Sequence, residues 1–151
     1  MSFPSTTQDP LTPGARPSAD APGGGDTLRS ATTILLAEDD ADIRLMVKTT
    51  LGAKGYRVIE ARDGQEALDV ARLTRPDLIL MDLQLPRLNG FAVTRFLRQD
   101  EALRPVPIIV ISAHDPAKHR NLALAAGCNA YVQKPLDLDA LDALMLSLLR
   151  K

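Results

Sequence analysis

The sequence is short of most of what a chain uses to bind by stacking, by bulk charge or by covalent cross-linking. Its 151 residues contain no tryptophan, and aromatics make up only 3%. That leaves no platform on which single-stranded bases could stack. A lone cysteine, Cys128, can form neither an internal disulfide nor a cysteine-rich metal site, and it fits a reduced, cytoplasmic setting. Charge of either sign is not in excess: 18 Lys+Arg against 19 Asp+Glu give a net charge of -1. Binding nucleic acid through bulk positive charge is therefore not expected, nor is a polybasic membrane surface. No apolar run approaches the ~18 residues of a membrane helix, and Met1-Ser2-Phe3-Pro4 lacks the layout of a secretory signal. What remains is ordinary for a globular unit: 45% apolar and 25% charged residues, with length enough for one domain.

Residues 1–30 stand apart. They hold Pro4, Pro10, Pro13, Pro17 and Pro22 with Gly14, Gly23, Gly24 and Gly25, and no valine, isoleucine or tyrosine. Such a segment cannot bury enough apolar surface to offset chain entropy. It reads as a disordered tail, with residues 31–151 as the folded domain.

From Ala31 onward the pattern alternates. Thr33–Ala37 is a continuous apolar run, as for a strand buried on both faces. Ile43, Met46, Val47, Thr50 and Leu51 follow at helical spacing, with Gly52 and Gly55 at that helix's end. Tyr56–Ala61 reads as a strand, and Asp63 with Glu66 as a reciprocal cap for the helix carrying Ala67, Leu68 and Ala71. Leu78–Met81 is a third strand, and a helix begins near Gly90. Ile108–Ile111 is a fourth strand, and Asp115-Pro116 starts another helix, which Gly127 closes. Ala130–Val132 is a short fifth strand, before a helix capped by Asp137 with Leu138, Leu141, Met145 and Leu148 inward. Strand and helix alternate five times with short links, which implies a parallel sheet covered on both faces. Five strands suit an α/β, doubly wound, flavodoxin-like sheet of order 2-1-3-4-5 better than an eight-stranded barrel of about 250 residues.

In such sheets ligands gather at the carboxyl ends of the strands. Strand one ends at Glu38-Asp39, strand three at Asp82, strand four at Ser112, and strand five just before Lys134. Two carboxylates about 4 Å apart repel by roughly 4 kcal/mol at an effective dielectric near 20. A hard divalent cation removes that cost, and few carboxylates with retained waters is the Mg²⁺ pattern. An acid cluster fitted with Mg²⁺ and a lysine suits a transferring phosphoryl group, and a carboxylate such as Asp82 can be its acceptor.

These stretches carry a resemblance. Ile34–Asp40, Asp82–Gly90, Val110–Ala113 and Tyr131–Pro135, in this order and at strand ends, resemble the receiver domain of bacterial two-component response regulators, over Thr32 to Arg150. The resemblance implies that Asp82 accepts a phosphoryl group from a phosphohistidine on a histidine kinase or histidine phosphotransfer protein. It implies Mg²⁺ held by Asp39 and Asp82, by Glu38 through water, and by the Gln84 backbone carbonyl. Lys134 would pair with the phosphoryl oxygens, Ser112 would turn its hydroxyl toward them, and Tyr131 would be the switch aromatic. The Lys134-Pro135 bond is expected to be cis. Gln84 and His114, two places after Asp82 and Ser112, would line the path of the water that removes the phosphate. The Glu-Asp pair and the serine are mild departures from the commoner Asp-Asp and threonine.

Simpler readings account for single residues. Asp40 is well explained as a helix cap, Cys128 as a small core residue, and His114 and His119 as surface residues without a third metal ligand. They do not explain the four strand ends together. A flavin carrier of this architecture would have a neutral Ser/Thr/Gly phosphate cradle where Glu38–Asp42 stands. A carboxylate phosphatase would have a second Asp two places after Asp82, where Gln84 stands. Because Lys151 follows the fifth of these helices directly, a stand-alone regulator is expected, not an enzyme, monomeric or weakly dimeric. Its output would be the face of the last two helices and the strand between them, read by an unknown effector protein. A relay intermediate, or an adaptor that leaves the site unused, is the alternative.

Overall fold

A computed structural model of the chain describes residues 24–150. Chain order is α1 (Gly24–Ser30), β1 (Thr33–Ala37), α2 (Ala41–Ala53), β2 (Arg57–Ala61), α3 (Gly64–Thr74) and β3 (Leu78–Asp82). It continues through α4 (Gly90–Gln99), β4 (Ile108–Ser112), α5 (Pro116–Ala126), β5 (Ala130–Gln133) and α6 (Leu138–Leu149). The five strands form one sheet in the order β2-β1-β3-β4-β5, with every pairing parallel.

The continuous apolar runs follow from this topology. Alternate residues of a strand point to opposite faces, and both faces are covered. Leu35, Ile79, Met81, Ile108 and Val110 pack with Leu68, Val93, Leu97 and Ala123 of α3, α4 and α5. Ile34, Leu36, Leu78, Leu80, Ile109 and Ile111 pack on the other side with Val47 and Leu51 of α2 and Leu141 and Met145 of α6. Cys128 is buried with the first group, and burial pushes its thiol pKa up. Asp40, Asp63, Asp115 and Asp137 each cap a helix, and Asn89 adds a fifth cap. The cap of α3 is not reciprocal in the expected way: Asp63 accepts from Glu66 N–H, but Glu66 accepts from the amide of Arg62.

Two further expectations need correction. The boundary at residue 30 is too late, since residues 24–30 are helical and tied to α6. The Arg29 guanidinium donates to both carboxylate oxygens of Asp142, at 2.7 and 3.2 Å, and Tyr56 OH donates to the same carboxylate at 2.5 Å. The remainder of the expected tail, 1–23, lies outside the described residues. Of the residues at helical spacing in α2, Val47 and Leu51 are buried, whereas Met46 is 47% exposed. His114 and His119 are not simple surface residues: both are half-buried, with rings stacked at 4.6 Å.

Candidate active site

The strand order reverses at β1, which has β2 on one side and β3 on the other. The chain leaves β1 and β3 toward opposite faces, so their carboxyl ends open a cleft. Glu38 and Asp39 follow β1 there and Asp82 ends β3. The Glu38 amide still donates to Ala61 O at 3.0 Å, extending the ladder by one residue. Glu38 and Asp82 are buried, whereas Asp39 is exposed. One carboxylate oxygen from each of the three lies within 4.8 Å of the others.

Lys134, delivered by the end of β5 and the cis Lys134-Pro135 bond, closes the arrangement. Its ammonium stands 2.9 Å from Glu38 Oε1 and 2.8 Å from Asp82 Oδ2. The other Asp82 oxygen, Oδ1, accepts from the Gln84 amide at 2.9 Å, and Glu38 Oε2 accepts from the Asp40 amide at 3.1 Å. Burial raises the Glu38 pKa above the usual carboxylate value against the opposing hydrogen bond from Lys134. Burial also works against the charged form of Lys134, but the hydrogen bonds to Asp82 and Glu38 outweigh it and its pKa is raised.

Ser112, at the end of β4, is fully buried, and its Oγ accepts from the His114 amide at 3.0 Å. The carbonyl of the same residue accepts from Tyr131 OH at 3.0 Å. His114 therefore connects Ser112 to Tyr131 through its own backbone. The Gln84 amide nitrogen and a His114 ring nitrogen meet beside the cleft.

Sequence reasoning missed Gly64. Its amide donates to Pro86 O at 3.0 Å, and a β-carbon there would stand 1.8 Å from the Leu88 carbonyl oxygen. The start of α3 thus packs directly on the loop that follows Asp82. Gly64→Ala must displace that loop, and about 2 kcal/mol of destabilisation is expected, at the level of a core overpacking. Urea unfolding checks it; an unchanged midpoint contradicts the close approach. No signal in the sequence marks this glycine, which reads as an ordinary helix start.

Three carboxylates face one ammonium, and Asp39 has no ion-pair partner among the described residues. The donor atoms are all hard oxygens, and the cluster keeps formal negative charge after Lys134 is counted. These residues therefore fit a small divalent cation.

Comparison with known proteins shows the family. The family model for the response regulator receiver domain matches residues 34–145. Over 104 residues the chain is 39% identical to the polar-differentiation response regulator DivK of Brucella anthropi, covering 69% of this chain and 85% of that protein. It resembles the receiver domain of a sensor histidine kinase of Pseudomonas aeruginosa, solved with a magnesium ion coordinated in its active-site cleft. That match has a TM-score of 0.75 and 36% identity over 80% of this chain and 98% of the other. The chemotaxis response regulator CheY4 of Vibrio cholerae matches at a TM-score of 0.73 and 30% identity, over 78% and 98% of the two chains. The chain belongs to the receiver domain family of response regulators, the signalling modules of two-component systems.

Proposed function

We propose that Asp82 is a phosphoacceptor, charged by a phosphohistidine on a histidine kinase or histidine phosphotransfer protein. The observation that carries this reading is the meeting of Lys134 with Glu38 and Asp82, and of Asp39 with both acids, at the cleft where the strand order reverses. Glu38, Asp39, Asp82 and the Gln84 carbonyl are the residues that would hold Mg²⁺. Bound there, the cation would offset negative charge on the transferring group.

The remaining work falls to the chain. An Asp82 carboxylate oxygen supplies the electron pair for the new P–O bond as the P–N bond to the donor imidazole breaks. Burial strips Asp82 of competing water, and the Gln84 amide and Lys134 ammonium fix its orientation. Lys134 is placed to pair with the phosphoryl oxygens. Ser112, at the end of β4, would donate its hydroxyl to them. When its hydroxyl turns that way the His114 amide loses its acceptor, and the Tyr131 hydrogen bond to the His114 carbonyl is disturbed in turn. Phosphorylation thus biases a two-state equilibrium of the α5–β5–α6 face. An apolar cleft of about 380 Å³, lined by Ile43, Met46, Pro135 and Leu136 beside Lys134, supports docking of a protein donor.

Incubation with phosphoramidate, a small phosphohistidine analogue, tests the reading. One hydroxylamine-labile phosphoryl group per chain is expected, as for an acyl phosphate; a hydroxylamine-stable product contradicts it. Lys134→Ala should slow labelling by about 10²-fold, the scale of losing one charge-stabilising donor. It should also abolish the phosphorylation-dependent change in amide hydrogen exchange across α5, β5 and α6. A normal exchange response in that variant would show that Lys134 does not couple the site to the face.

A further inference from the structure

Arg44 lies in the first turn of α2, where the helix dipole disfavours a cation. Its side chain is nevertheless well packed, with 14% exposure. Helical side chains lean toward the N-terminus, and this one reaches back over the β1–α2 turn. There Nη1 donates to Glu38 O at 2.8 Å and to Asp39 O at 3.4 Å. Its Nε donates to Glu60 Oε1 at 3.1 Å, while Lys48 holds the other Glu60 oxygen at 2.8 Å. The Lys48 hydrogen bond foremost, with Arg44 behind it, keeps Glu60 below the usual carboxylate range. Glu60 sits on β2 opposite Leu36 of β1, so the anchor is part of the sheet.

The two carbonyls that Arg44 holds belong to the two acids that leave β1. Around them the Glu38 amide donates to Ala61 O, the Asp40 amide to Glu38 Oε2, the Asp42 and Ile43 amides to Asp40 Oδ1, and the Arg44 amide to Asp40 O. The Asp40 amide belongs to the same peptide group as the Asp39 carbonyl, so that group is held at both ends, while the Asp39 side chain is exposed and has no ion pair among the described residues. Among the described residues, Arg44 is the side chain that binds both carbonyls of the acid pair.

We infer that Arg44, anchored by Glu60, is a positioning residue that sets the Glu38-Asp39 backbone so that their carboxylates present to a divalent cation. The inference rests on the Mg²⁺ reading of the cleft.

Isothermal titration of the full chain with Mg²⁺ tests it, with the melting temperature of the metal-free protein measured alongside. Arg44→Ala is expected to raise the Mg²⁺ Kd about tenfold, with a fall of only a few degrees in the metal-free melting temperature. Arg44→Lys, whose single ammonium cannot span both carbonyls and Glu60, should recover part of that loss. A role confined to stability would lower the melting temperature and leave the Kd of the folded protein within twofold of wild type, and that result overturns the inference. Should Arg44→Ala fail to fold, Glu60→Ala carries the test: a Kd raised about threefold is expected, and an unchanged Kd overturns it. Wild type and Asp39→Ala separate the two levels. A wild type that binds no Mg²⁺ would sink the cleft reading itself. Wild-type binding that Asp39→Ala abolishes and Arg44→Ala leaves intact sinks only the role of Arg44.

Discussion

Asp82→Asn should reduce covalent phosphorylation by at least about 10³-fold, the scale of removing a nucleophile from a site that otherwise keeps its binding groups. The amide lacks the anionic oxygen that would form the P–O bond. It also changes the local electrostatics, because Lys134 then faces Glu38 alone among its two partners. The substitution nearly conserves volume at a buried position, so the fold should survive and the loss should read as chemistry. Persistent labelling in the variant would mean that another side chain is the acceptor. Asp39 is the first to test, as it shares the cluster.

Arg29→Ala should destabilise the domain by about 3 kcal/mol, since removing one partner of a largely buried ion pair leaves the other uncompensated. Asp142 is 6% exposed and would keep only the Tyr56 hydroxyl. For a domain of this size the melting temperature should fall by roughly 8–10 °C. The effect should depend on pH in a definite sense. Burial raises the Asp142 pKa, but the hydrogen bonds from Arg29 and Tyr56 more than reverse this, and its pKa in the folded protein lies below the usual value. The ionised carboxylate therefore stabilises the wild type above about pH 3.9, the ordinary Asp value, and that contribution is lost as pH falls through the lowered one. In the variant the same burial acts without the guanidinium, and protonation relieves it. The gap between the two proteins should be widest near neutrality and shrink in acid. A melting temperature within a degree or two of wild type at neutral pH would mean that α1 contributes nothing to the fold.

Why α1 is hidden in the sequence follows from that pair. Its residues have glycines and prolines before them and offer no apolar stripe. What orders them is an arginine meeting an acid 113 positions away, a contact no local pattern encodes. The strands were legible for the opposite reason. Both faces of Leu78–Asp82 and Ile108–Ser112 are buried, so the apolar runs are unbroken and their ends are sharp. The caps were legible because each is a short side chain serving amides two or three residues away. The polar cluster was legible where its residues coincide with a strand end, as at Glu38-Asp39, Asp82, Ser112 and Lys134. It was illegible where it depends on packing across the fold. Gly64 reads as a helix start until Leu88 is brought against it. Arg44 reads as a solvated helix residue until the turn before it is seen to fold under its guanidinium.

The most direct test of the phosphoacceptor assignment is intact mass measurement after incubation with acetyl phosphate and Mg²⁺, with and without EDTA, on wild type and Asp82→Asn. The wild-type mass should rise by one phosphoryl group, the rise should vanish with EDTA, and peptide mapping should locate it at Asp82. A wild type that never gains this mass, or gains it equally in EDTA or in Asp82→Asn, would contradict the assignment.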